Sequence, residues 1–408
     1  SNTVAWKPTR PGNYTIYSDI KDRYGHVTTR TINFNVYESF LSGSSMVDYP
    51  SGSIPAGKNF YLKVPGAVRF STSNGSVAQV SQRGFVHGVS SGNVTITAYN
   101  NYDEIINRYN VSVLQAQPIK FIYTSPNNAK LNSYVELIAI TDRDRDAVGF
   151  VVNGQEIMAT ERVTEGGTYV WTAKFLANTT GESQVKAYSK KDGIWQSCSD
   201  GETSLYVNTE PGNISKLERR RISDAGVEFI AQCEGFSGTV YNDSFASDTP
   251  TIGYGKVIYN RNIFYNNLTQ REAYAMLTNS LNHASFASSV NNFLINNGVK
   301  FNQNQFDSLV SFSYNLGTGW IHDDVVRGYI FNAFEPGSAQ KNLSYVDRDD
   351  FSHEMLRYHH AGAHECILGL LYRRIDEMNI FFYGDYGRHT YRNNPHGYII
   401  PDCIKGQW

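Results

Sequence analysis

Two carboxylic acids, Glu234 and Asp243, have the residue types and the spacing that best suit chemistry in this chain. Glu234 ends an apolar stretch typical of a helix and precedes Gly235, so we expect its carboxyl to be partly desolvated and held protonated. Asp243 follows nine residues later in a polar turn, where a carboxylate stays hydrated and ionised. One acid that donates a proton and a second that steers water or stabilises positive charge are what hydrolysis of a glycosidic bond requires.

Thr251 follows this pair and offers a hydroxyl that could hold the attacking water. The sequence Ile252-Gly253-Tyr254-Gly255 predicts a strand whose glycines let the backbone approach another element or a ligand. Spacing alone is weak support, because most pairs of acids nine residues apart are solvated surface charges.

Helices are predicted to position these residues, because apolar side chains recur every three or four residues beyond residue 221. Ser223 and Asp307 precede two of these periods and are expected to be N-caps. Gly235 and Gly317 follow the same periods, where glycines commonly end helices.

Before residue 210, short runs rich in Val, Ile, Thr and Tyr alternate with turns that contain Gly, Asn and Pro. This spacing is typical of antiparallel sandwiches, so the predicted fold class is multidomain, with all-β sandwiches followed by an α+β, mainly helical domain. The predicted boundaries are 1–38 for a partial β module, 39–114 and 115–208 for two sandwiches, 209–221 for a linker, 222–386 for the helical domain and 387–408 for a C-terminal tail.

Length and composition limit the classes of protein. The chain of 408 residues suggests two to four domains, and 40% hydrophobic with 18% charged residues excludes global disorder. A net charge of −2, from 36 basic and 38 acidic residues, provides no polycationic surface for nucleic acid or anionic lipid. No apolar run reaches the roughly 18 residues of a membrane span, and residues 1–9 lack the apolar core of a signal peptide.

Three ordered motifs resemble the phage-type lysozymes, glycoside hydrolase family 24. The family pattern Glu-Gly, Tyr-x-Asp and Thr-Ile-Gly-Tyr-Gly-His is matched by Glu234-Gly235, Tyr241-Asn242-Asp243 and Thr251-Ile252-Gly253-Tyr254-Gly255. Residues 306–317 (FDSLVSFSYNLG) resemble the family helix F-D-A-L-V-S-F-x-F-N-x-G, and residues 369–377 (GLLYRRIDE) resemble G-L-x-x-R-R-x-x-E. These matches cover most of residues 222–386.

The resemblance implies a role for each catalytic candidate. Glu234 would be the general acid, Asp243 the carboxylate that positions water or stabilises charge, and Thr251 the hydrogen-bond partner of that water. The implied reaction is hydrolysis of the β-1,4 bond between N-acetylmuramic acid and N-acetylglucosamine in peptidoglycan, with no cofactor and no metal. The two carboxyl groups are then expected to lie roughly 6.5 to 9.5 Å apart, which leaves room for a water molecule.

The resemblance also implies that Tyr241, Asn315 and Gly317 bind the substrate. Asn315 matches a position that faces the sugar cleft in the family. The alternative for this residue is an Asn at the end of a helix whose side chain bonds the local backbone.

The chain departs from the family pattern at two places. The spacing from Asp243 to Thr251 is two residues longer than usual, and the inserted turn contains a second acid, Asp248. Asp248 is therefore an alternative to Asp243, although only Asp243 keeps both its spacing from Glu234 and the preceding Tyr. Lys256 occupies the position of the family's usual His, which is more often structural than chemical.

Residues 68–98 resemble the group 2 bacterial immunoglobulin-like domain, in a Ser/Asn-rich turn followed by Ala-x-Val, Gly-x-Val-x-Gly and Gly-x-x-x-Ile-Thr-Ala. Residues 115–208 are interpreted as immunoglobulin-like from strand spacing and from a weak internal repeat, in which Trp6 and Trp171 each precede a Gly, a strand and an Asp-containing turn. Such modules could bind glycan, anchor an enzyme to a phage particle or a cell surface, or act as spacers. A spacer is the default interpretation.

Four histidines cluster late in the chain, and one pair has the helical spacing that could suit zinc: His353, His359, His360 and His364, with the pair being His360 and His364. The next residues are Glu365 and Cys366, which do not complete an H-E-x-x-H pattern. We therefore predict no metal site.

Three other side chains have two interpretations each. Arg373 and Arg374 could contact an anionic sugar or peptide, but we expect one to be a buried ion-pair partner of Glu377 or Asp376 and the other to be a surface charge. Trp320 could stack on a sugar or lie in the core.

Two functions compete with the lysozyme interpretation. A lytic transglycosylase keeps the acid, needs no partner that handles water and leaves an anhydro sugar end. A structural or adhesive protein would bind the wall without cutting it. Asn242 begins an N-x-Ser sequon beside Asp243, and a glycan there would obstruct the cleft, so the predicted source is a bacterium or its phage. The predicted location is the extracellular wall or a virion.

Overall fold

The structure is a computed structural model that describes residues 8, 10–36, 38–209, 214–243, 249–283, 285–361, 365–389 and 393–401. Strands occupy the front of the chain and helices dominate beyond residue 223, which confirms the predicted fold class. The first element is a hairpin in which Gly12 pairs with Val36 and Lys21 with Val27. Its two antiparallel strands form a sheet of their own: β1 (Gly12–Lys21) and β2 (Val27–Val36).

A second module packs two small sheets around an apolar core that includes Ile54, Val86, Ile96 and Val113. Its alternating apolar residues point into that core, as the period of a strand requires. The strands of this part of the chain are β3 (Ser45–Met46), β4 (Ser53–Pro55), β5 (Asn59–Tyr61), β6 (Arg69–Thr72), β7 (Ala78–Val80), β8 (Phe85–Gly88), β9 (Gly92–Tyr99) and β10 (Ile105–Leu114). One sheet has the order β4-β10-β9-β6, and the other joins β5, β8 and β7.

A third module is a larger sandwich whose core includes Phe150, Trp171 and Leu205. Its strands are β11 (Phe121–Ser125), β12 (Asn128–Lys130), β13 (Tyr134–Asp142), β14 (Ala147–Val152), β15 (Gln155–Met158), β16 (Glu161–Glu165), β17 (Thr168–Leu176), β18 (Gly181–Lys191), β19 (Ile194–Ser197) and β20 (Glu202–Asn208). One sheet has the order β11-β13-β17-β16 and the other β12-β20-β18-β14-β15, with β19 beside β18 and β3 beside β19.

The C-terminal domain consists of a small β part and a helical part. The helices are α1 (Asp224–Glu234), α2 (Gln270–His283), α3 (Ser285–Asn296), α4 (Gln303–Leu316), α5 (Asp324–Phe331), α6 (Arg348–Leu356) and α7 (Leu368–Tyr383). The strands are β21 (Ser237–Asp243), β22 (Thr249–Gly253), β23 (Lys256–Val257), β24 (Ile263–Phe264), β25 (Val299–Lys300), β26 (Lys341–Asn342), β27 (His360–Ala361) and β28 (Glu365–Cys366). Among these described helices, none combines the length and the apolar character that crossing a bilayer needs.

The central helix of this domain is α4, which packs against α7 and carries buried residues such as Phe306, Val310 and Phe312. Its N-cap is Asn302, whose side chain accepts from the Gln305 backbone N–H while the Gln305 side chain accepts from the Asn302 N–H, both at 2.9 Å. The start of α4 is therefore set by a capping box.

The prediction that Asp307 is an N-cap is wrong. Asp307 lies inside α4 and is 1% exposed. Its carboxylate accepts from the backbone N–H of Ser223 at 3.0 Å and from the hydroxyl of Tyr386 at 2.6 Å, and burial raises its pKa. Ser223 is the N-cap of α1 as predicted, so Asp307 joins α4 to the first turn of α1.

Residues 214–221, within the predicted linker, contact both sides of the module boundary. Arg220 is buried, and its backbone N–H donates to Asn291 of α3 at 2.9 Å. Arg221 is also buried, and its guanidinium lies 3.1 Å from Glu182 of β18. This segment is therefore packed on both the third module and the helices.

The chain after α7 folds back onto that helix through a buried acid, Asp376. Its carboxylate accepts from the backbone N–H of His389 at 2.8 Å and lies 3.4 Å from the guanidinium of Arg388. Burial raises the pKa of Asp376 to about 6, although Arg388 and His389 both oppose the shift. Residues 388 and 389, in the predicted C-terminal tail, are thus part of the packed domain.

The raised pKa of Asp376 predicts a pH dependence of stability. The folded protein binds this proton more tightly than the unfolded chain, so the advantage is complete below the ordinary pKa of 3.8 and is lost as the pH rises through about 6. Relative to Asp376→Asn, the wild type should lose up to about 3 kcal/mol of unfolding free energy over this interval. Denaturant unfolding of both proteins between about pH 4 and pH 7 measures this difference, and a difference independent of pH would contradict the prediction.

Candidate active site

Glu234 is the last residue of α1, and Gly235 ends the helix with a φ of 71°. The side chain of Glu234 is 21% exposed, and its Oε1 lies 2.5 Å from Nη1 of Arg373. Partial desolvation of this carboxyl was expected from its place beside an apolar helix. A buried guanidinium also faces the carboxyl, and the sequence analysis did not predict this contact.

Arg373 lies on α7 and joins Glu234 to a second acid of the same helix. Its Nε lies 3.2 Å from Oε1 of Glu377, and Nη2 donates to the backbone carbonyl of Ser311 on α4 at 3.3 Å. Burial lowers the pKa of Arg373, but the carboxylates of Glu377 and Glu234 outweigh burial, so its pKa lies above the ordinary value. The guanidinium therefore stays charged and ties α1, α4 and α7 together.

The prediction that one of the two arginines is a surface charge is wrong. Arg374 is fully buried, with Nη2 donating to Oε1 of Glu377 and to Oδ1 of Asn315, both at 3.0 Å. Burial lowers the pKa of Arg374 to about 10. Ion pairing of an arginine with Glu377 is confirmed, and both arginines share that partner.

Asn315 and Gly317 lie at the end of α4, near this network. The Asn315 side chain is half-buried, and its oxygen accepts from Arg374 rather than from local backbone. Gly317 ends the helix with a φ of 80°, so it occupies the C-terminal position predicted for it. Trp320, which follows, is 4% exposed and donates from Nε1 to Ser313 Oγ at 2.8 Å, which makes it a core residue.

The other predicted residues lie on the hairpin β21–β22. Tyr241 stands opposite Thr251 in the strand register, and Asp243 stands opposite Thr249. Tyr241 is 37% exposed. Thr251 is 2% exposed, and its hydroxyl donates to the Thr249 carbonyl at 3.1 Å. The structure thus brings Tyr241 and Thr251 together as neighbours across one strand pair.

The alternative acid, Asp248, lies outside the described residues, which leave out 244–248 between β21 and β22. For Asp243 the structure describes the strand backbone and not the position of the carboxyl group. The expected separation of the two carboxyl groups therefore stays a prediction, as does the choice between these two acids.

Gly255 and Tyr314 connect the hairpin to the Glu234 carboxyl. Gly255 has a φ of 78°, and a Cβ built there would lie 3.0 Å from Oε2 of Glu234. Tyr314 of α4 donates from its hydroxyl to the Tyr254 carbonyl at 2.8 Å. Burial raises the pKa of Tyr314, and the Glu234 carboxylate raises it further. The strand predicted over 252–255 ends at Gly253, and the predicted close approach is made by Gly255, in the following turn, to the candidate acid itself.

Sequence reasoning missed two of these contacts. Tyr314 occupies a position where the quoted family helix has Phe, so its extra hydroxyl was the available signal for a polar partner. The pairing of Arg373 with Glu234 joins residues 139 positions apart, and no local pattern indicates it.

The histidine cluster contains a group of possible metal ligands among the described residues. His364 lies outside the described residues, which leaves a trio of His359, His360 and Cys366 with ligand atoms within 4.8 Å of one another. Cys366 is disulfide-bonded, so its sulfur is not available as a thiolate ligand. Two histidines are fewer ligands than the three or four that zinc takes from proteins, so this trio does not fit zinc.

Comparisons with known proteins match the two regions separately. The family model for phage lysozyme matches residues 231–377, and the model for the group 2 bacterial Ig-like domain matches residues 55–103. The endolysin of Bacillus phage PZA is 30% identical over 162 residues, which are 40% of this chain and 55% of that protein. The endolysin of Bacillus phage B103 is 29% identical over 165 residues, with the same coverage of 40% and 55%.

The chain thus spans about half the length of the curated relatives it matches. Among solved structures, an endolysin from Escherichia coli O157:H7 phage FAHEc1 aligns at 23% identity and a TM-score of 0.30, over 42% of this chain and 99% of that chain. Both family resemblances drawn from the sequence are confirmed. The chain contains a phage lysozyme domain at residues 231–377, preceded by a group 2 bacterial immunoglobulin-like domain at residues 55–103.

Proposed function

We propose that the protein hydrolyses peptidoglycan as an N-acetylmuramidase, cutting the β-1,4 bond between N-acetylmuramic acid and N-acetylglucosamine in the extracellular wall. The observation that carries this proposal is the position of Glu234. Its carboxyl lies at the end of a helix, is 21% exposed, and is held by Arg373 beside Gly255, in the turn that follows the β21–β22 hairpin. A general acid must be fixed in this way to reach a bridging oxygen.

In the proposed reaction Glu234 gives its proton to the glycosidic oxygen, and the bond from that oxygen to the muramic acid carbon breaks. Asp243 accepts a proton from the attacking water, whose oxygen forms the new bond to the same carbon. Attack from the opposite face inverts that carbon, which requires room for the water between the two acids. Arg373 keeps the Glu234 side chain oriented through its contact at 2.5 Å.

One observation favours a lytic transglycosylase as a second candidate. The Thr251 hydroxyl is buried and donates to the Thr249 carbonyl, so its proton is already used within the strand pair. A transglycosylase needs no group that holds water. The Thr251 oxygen still has acceptor capacity for a water proton, which is why hydrolysis is the first proposal.

The first prediction concerns Glu234→Gln, which keeps the shape of the side chain and removes its proton. Cleavage of purified peptidoglycan should fall by about 10²-fold to 10⁴-fold, the range typical of a lost general acid. Glu228→Gln is the matched control, because Glu228 is an exposed acid on the same helix. Equal cleavage rates for Glu234→Gln and the wild type would rule out the catalytic assignment of Glu234, whereas no cleavage by either protein would favour a protein that binds the wall without cutting it.

Mass spectrometry of the muropeptides released by the wild type separates the two enzymatic candidates. A hydrolase leaves a reducing muramic acid end, whereas a transglycosylase leaves an anhydro end that is lighter by one water. Predominantly anhydro products would contradict the proposed water attack.

The second prediction decides between the two candidate carboxylates of the hairpin. Asp243→Asn should lower the turnover rate by at least about 10²-fold, because the water then lacks its base. Asp248→Asn should keep the rate within about 3-fold of the wild type and serves as the control. The reverse pattern would transfer the role to Asp248.

The third prediction tests the close approach of Gly255 to Glu234. Gly255→Ala and Gly298→Ala place a side chain at similar positive φ values, 78° and 67°, so both bear comparable backbone strain. Only the Cβ at position 255 reaches the Glu234 carboxylate, since a Cβ at position 298 meets no atom within 4 Å. Turnover should fall about 10-fold or more for Gly255→Ala and stay near wild type for Gly298→Ala. Similar activity of the two folded variants would contradict the proposed geometry.

A further inference from the structure

The β part of the lysozyme domain has a small apolar core. Aromatic residues of the second and third modules, together called the front modules, pack against this core. The fully or nearly fully buried residues of this core are Ile252, Ile258, Leu268 and Ala273, all from the lysozyme domain. Tyr61 of the second module and Phe121 of the third pack against the same cluster. Five partly buried residues of the lysozyme domain also pack against the cluster, and the two aromatic rings of the other modules add to the apolar surface that it buries: Val240, Tyr254, Phe264, Tyr265 and Met276.

A strand of the lysozyme domain also extends a sheet of the second module. Ile263 of β24 pairs antiparallel with Phe60 of β5, which makes the sheet order β24-β5-β8-β7. Just before β24, the Tyr61 N–H donates to the Asn262 carbonyl at 3.1 Å, and the Arg261 N–H donates to the Tyr61 carbonyl at 2.7 Å. Main-chain bonds of this kind fix the register of two elements more firmly than side-chain contacts do.

Tyr265 of the lysozyme domain, directly after β24, is contacted by both the second and the third modules. The ammonium groups of Lys58 from the second module and Lys120 from the third lie 4.7 and 4.8 Å from its ring centre. Its hydroxyl donates to Gln117 at 2.9 Å. Two cations on one aromatic ring and a satisfied hydroxyl make this a specific junction rather than a loose contact.

The helix that ends at Glu234 is attached at its other end to the third module. Asp224, the first residue of α1, accepts from the hydroxyl of Ser125 at 2.6 Å and from the backbone and side-chain N–H groups of Asn127, both at 2.9 Å. The hairpin that bears Asp243 has its own attachment, since Arg83 of the second module donates to Asn242. Each element that carries a proposed catalytic acid is therefore bonded to a different front module.

We propose that the second and third modules are part of the catalytic unit rather than spacers, and that they position α1 and the β21–β22 hairpin relative to each other. Asp224 and Phe121 are then positioning residues that act through these two elements. This inference rests on the proposed function for its activity measurements, but the association of the modules can be measured without any activity.

The first test breaks the attachment of α1 in the full chain. Asp224→Ala should lower kcat about 10-fold and leave KM within about 2-fold, because a displaced acid slows the chemical step while the rest of the cleft still binds glycan. Asp224→Asn keeps an acceptor oxygen for the two Asn127 N–H groups, and its amide NH2 can donate to the Ser125 hydroxyl oxygen, so this variant should restore most of kcat. Glu228→Ala, which removes an exposed acid from the same helix, should match the wild type.

A structural role without positioning would lower the melting temperature of Asp224→Ala and leave kcat of the folded protein unchanged. That result would overturn the assignment of Asp224. The assignment would also fail if kcat of Asp224→Asn were as low as that of Asp224→Ala while kcat of Glu228→Ala equalled that of the wild type. Phe121→Ala, with Phe121→Leu as its conservative partner, applies the same kcat and KM comparison to the shared core.

The second test cuts the folded full chain at a protease site inserted at positions 210–213. We expect the two pieces to elute together on size exclusion and to unfold in one transition, since the attachments described above lie outside the cut. Separation of the pieces with full kcat retained by the C-terminal piece would overturn the proposal. If the uncut protein cuts no peptidoglycan, the proposed function fails, and joint or separate elution still decides the structural inference.

Discussion

The site depends on one buried cation, the guanidinium of Arg373. It contacts the carboxylates of Glu234 and Glu377 and the Ser311 carbonyl, and so joins the end of α1, the middle of α4 and the face of α7. Removing one partner from such a set leaves a buried charge uncompensated, which costs several kcal/mol. The contacts that orient the candidate acid are therefore the same contacts that hold α1, α4 and α7 together.

Charge balance explains why this arrangement is compatible with a small domain. Two arginines and two glutamates form the network, with Arg374 completing it through Glu377 and Asn315. The formal charges cancel when both glutamates are ionised, as after Glu234 has given its proton in the proposed reaction, and the network carries one net positive charge when Glu234 is protonated. The network is open at one side only, because Glu234 is partly exposed whereas the other three charged residues are buried. A proton or a substrate can thus reach this network through Glu234.

Local patterns predicted the parts of the site that depend on neighbours in sequence. The helix that ends at Glu234, its cap at Ser223, and the glycine ends at Gly235 and Gly317 follow from residue types at fixed spacings. Asp307 was misassigned because it and Asn302 are both residues that cap helices well. The reciprocal hydrogen bonds between Asn302 and Gln305 identify Asn302 as the cap of α4, and these bonds are seen in the structure and not in the sequence.

No pattern in the sequence indicated the long-range contacts between the lysozyme domain and the front modules. These contacts are the reason for proposing that the front modules position the site. The four buried apolar residues of the β part are covered by partly buried residues both of the lysozyme domain itself and of the second and third modules. Tyr61 and Phe121 have the same residue types as the inward residues of any sandwich strand, so nothing in their local sequence marks them as facing another domain. Their partners lie well over a hundred residues away. A module that acts as a spacer and a module that supports the lysozyme domain therefore have similar sequences. They differ in whether the outward-facing aromatic side chains are exposed to water or pack against the lysozyme domain.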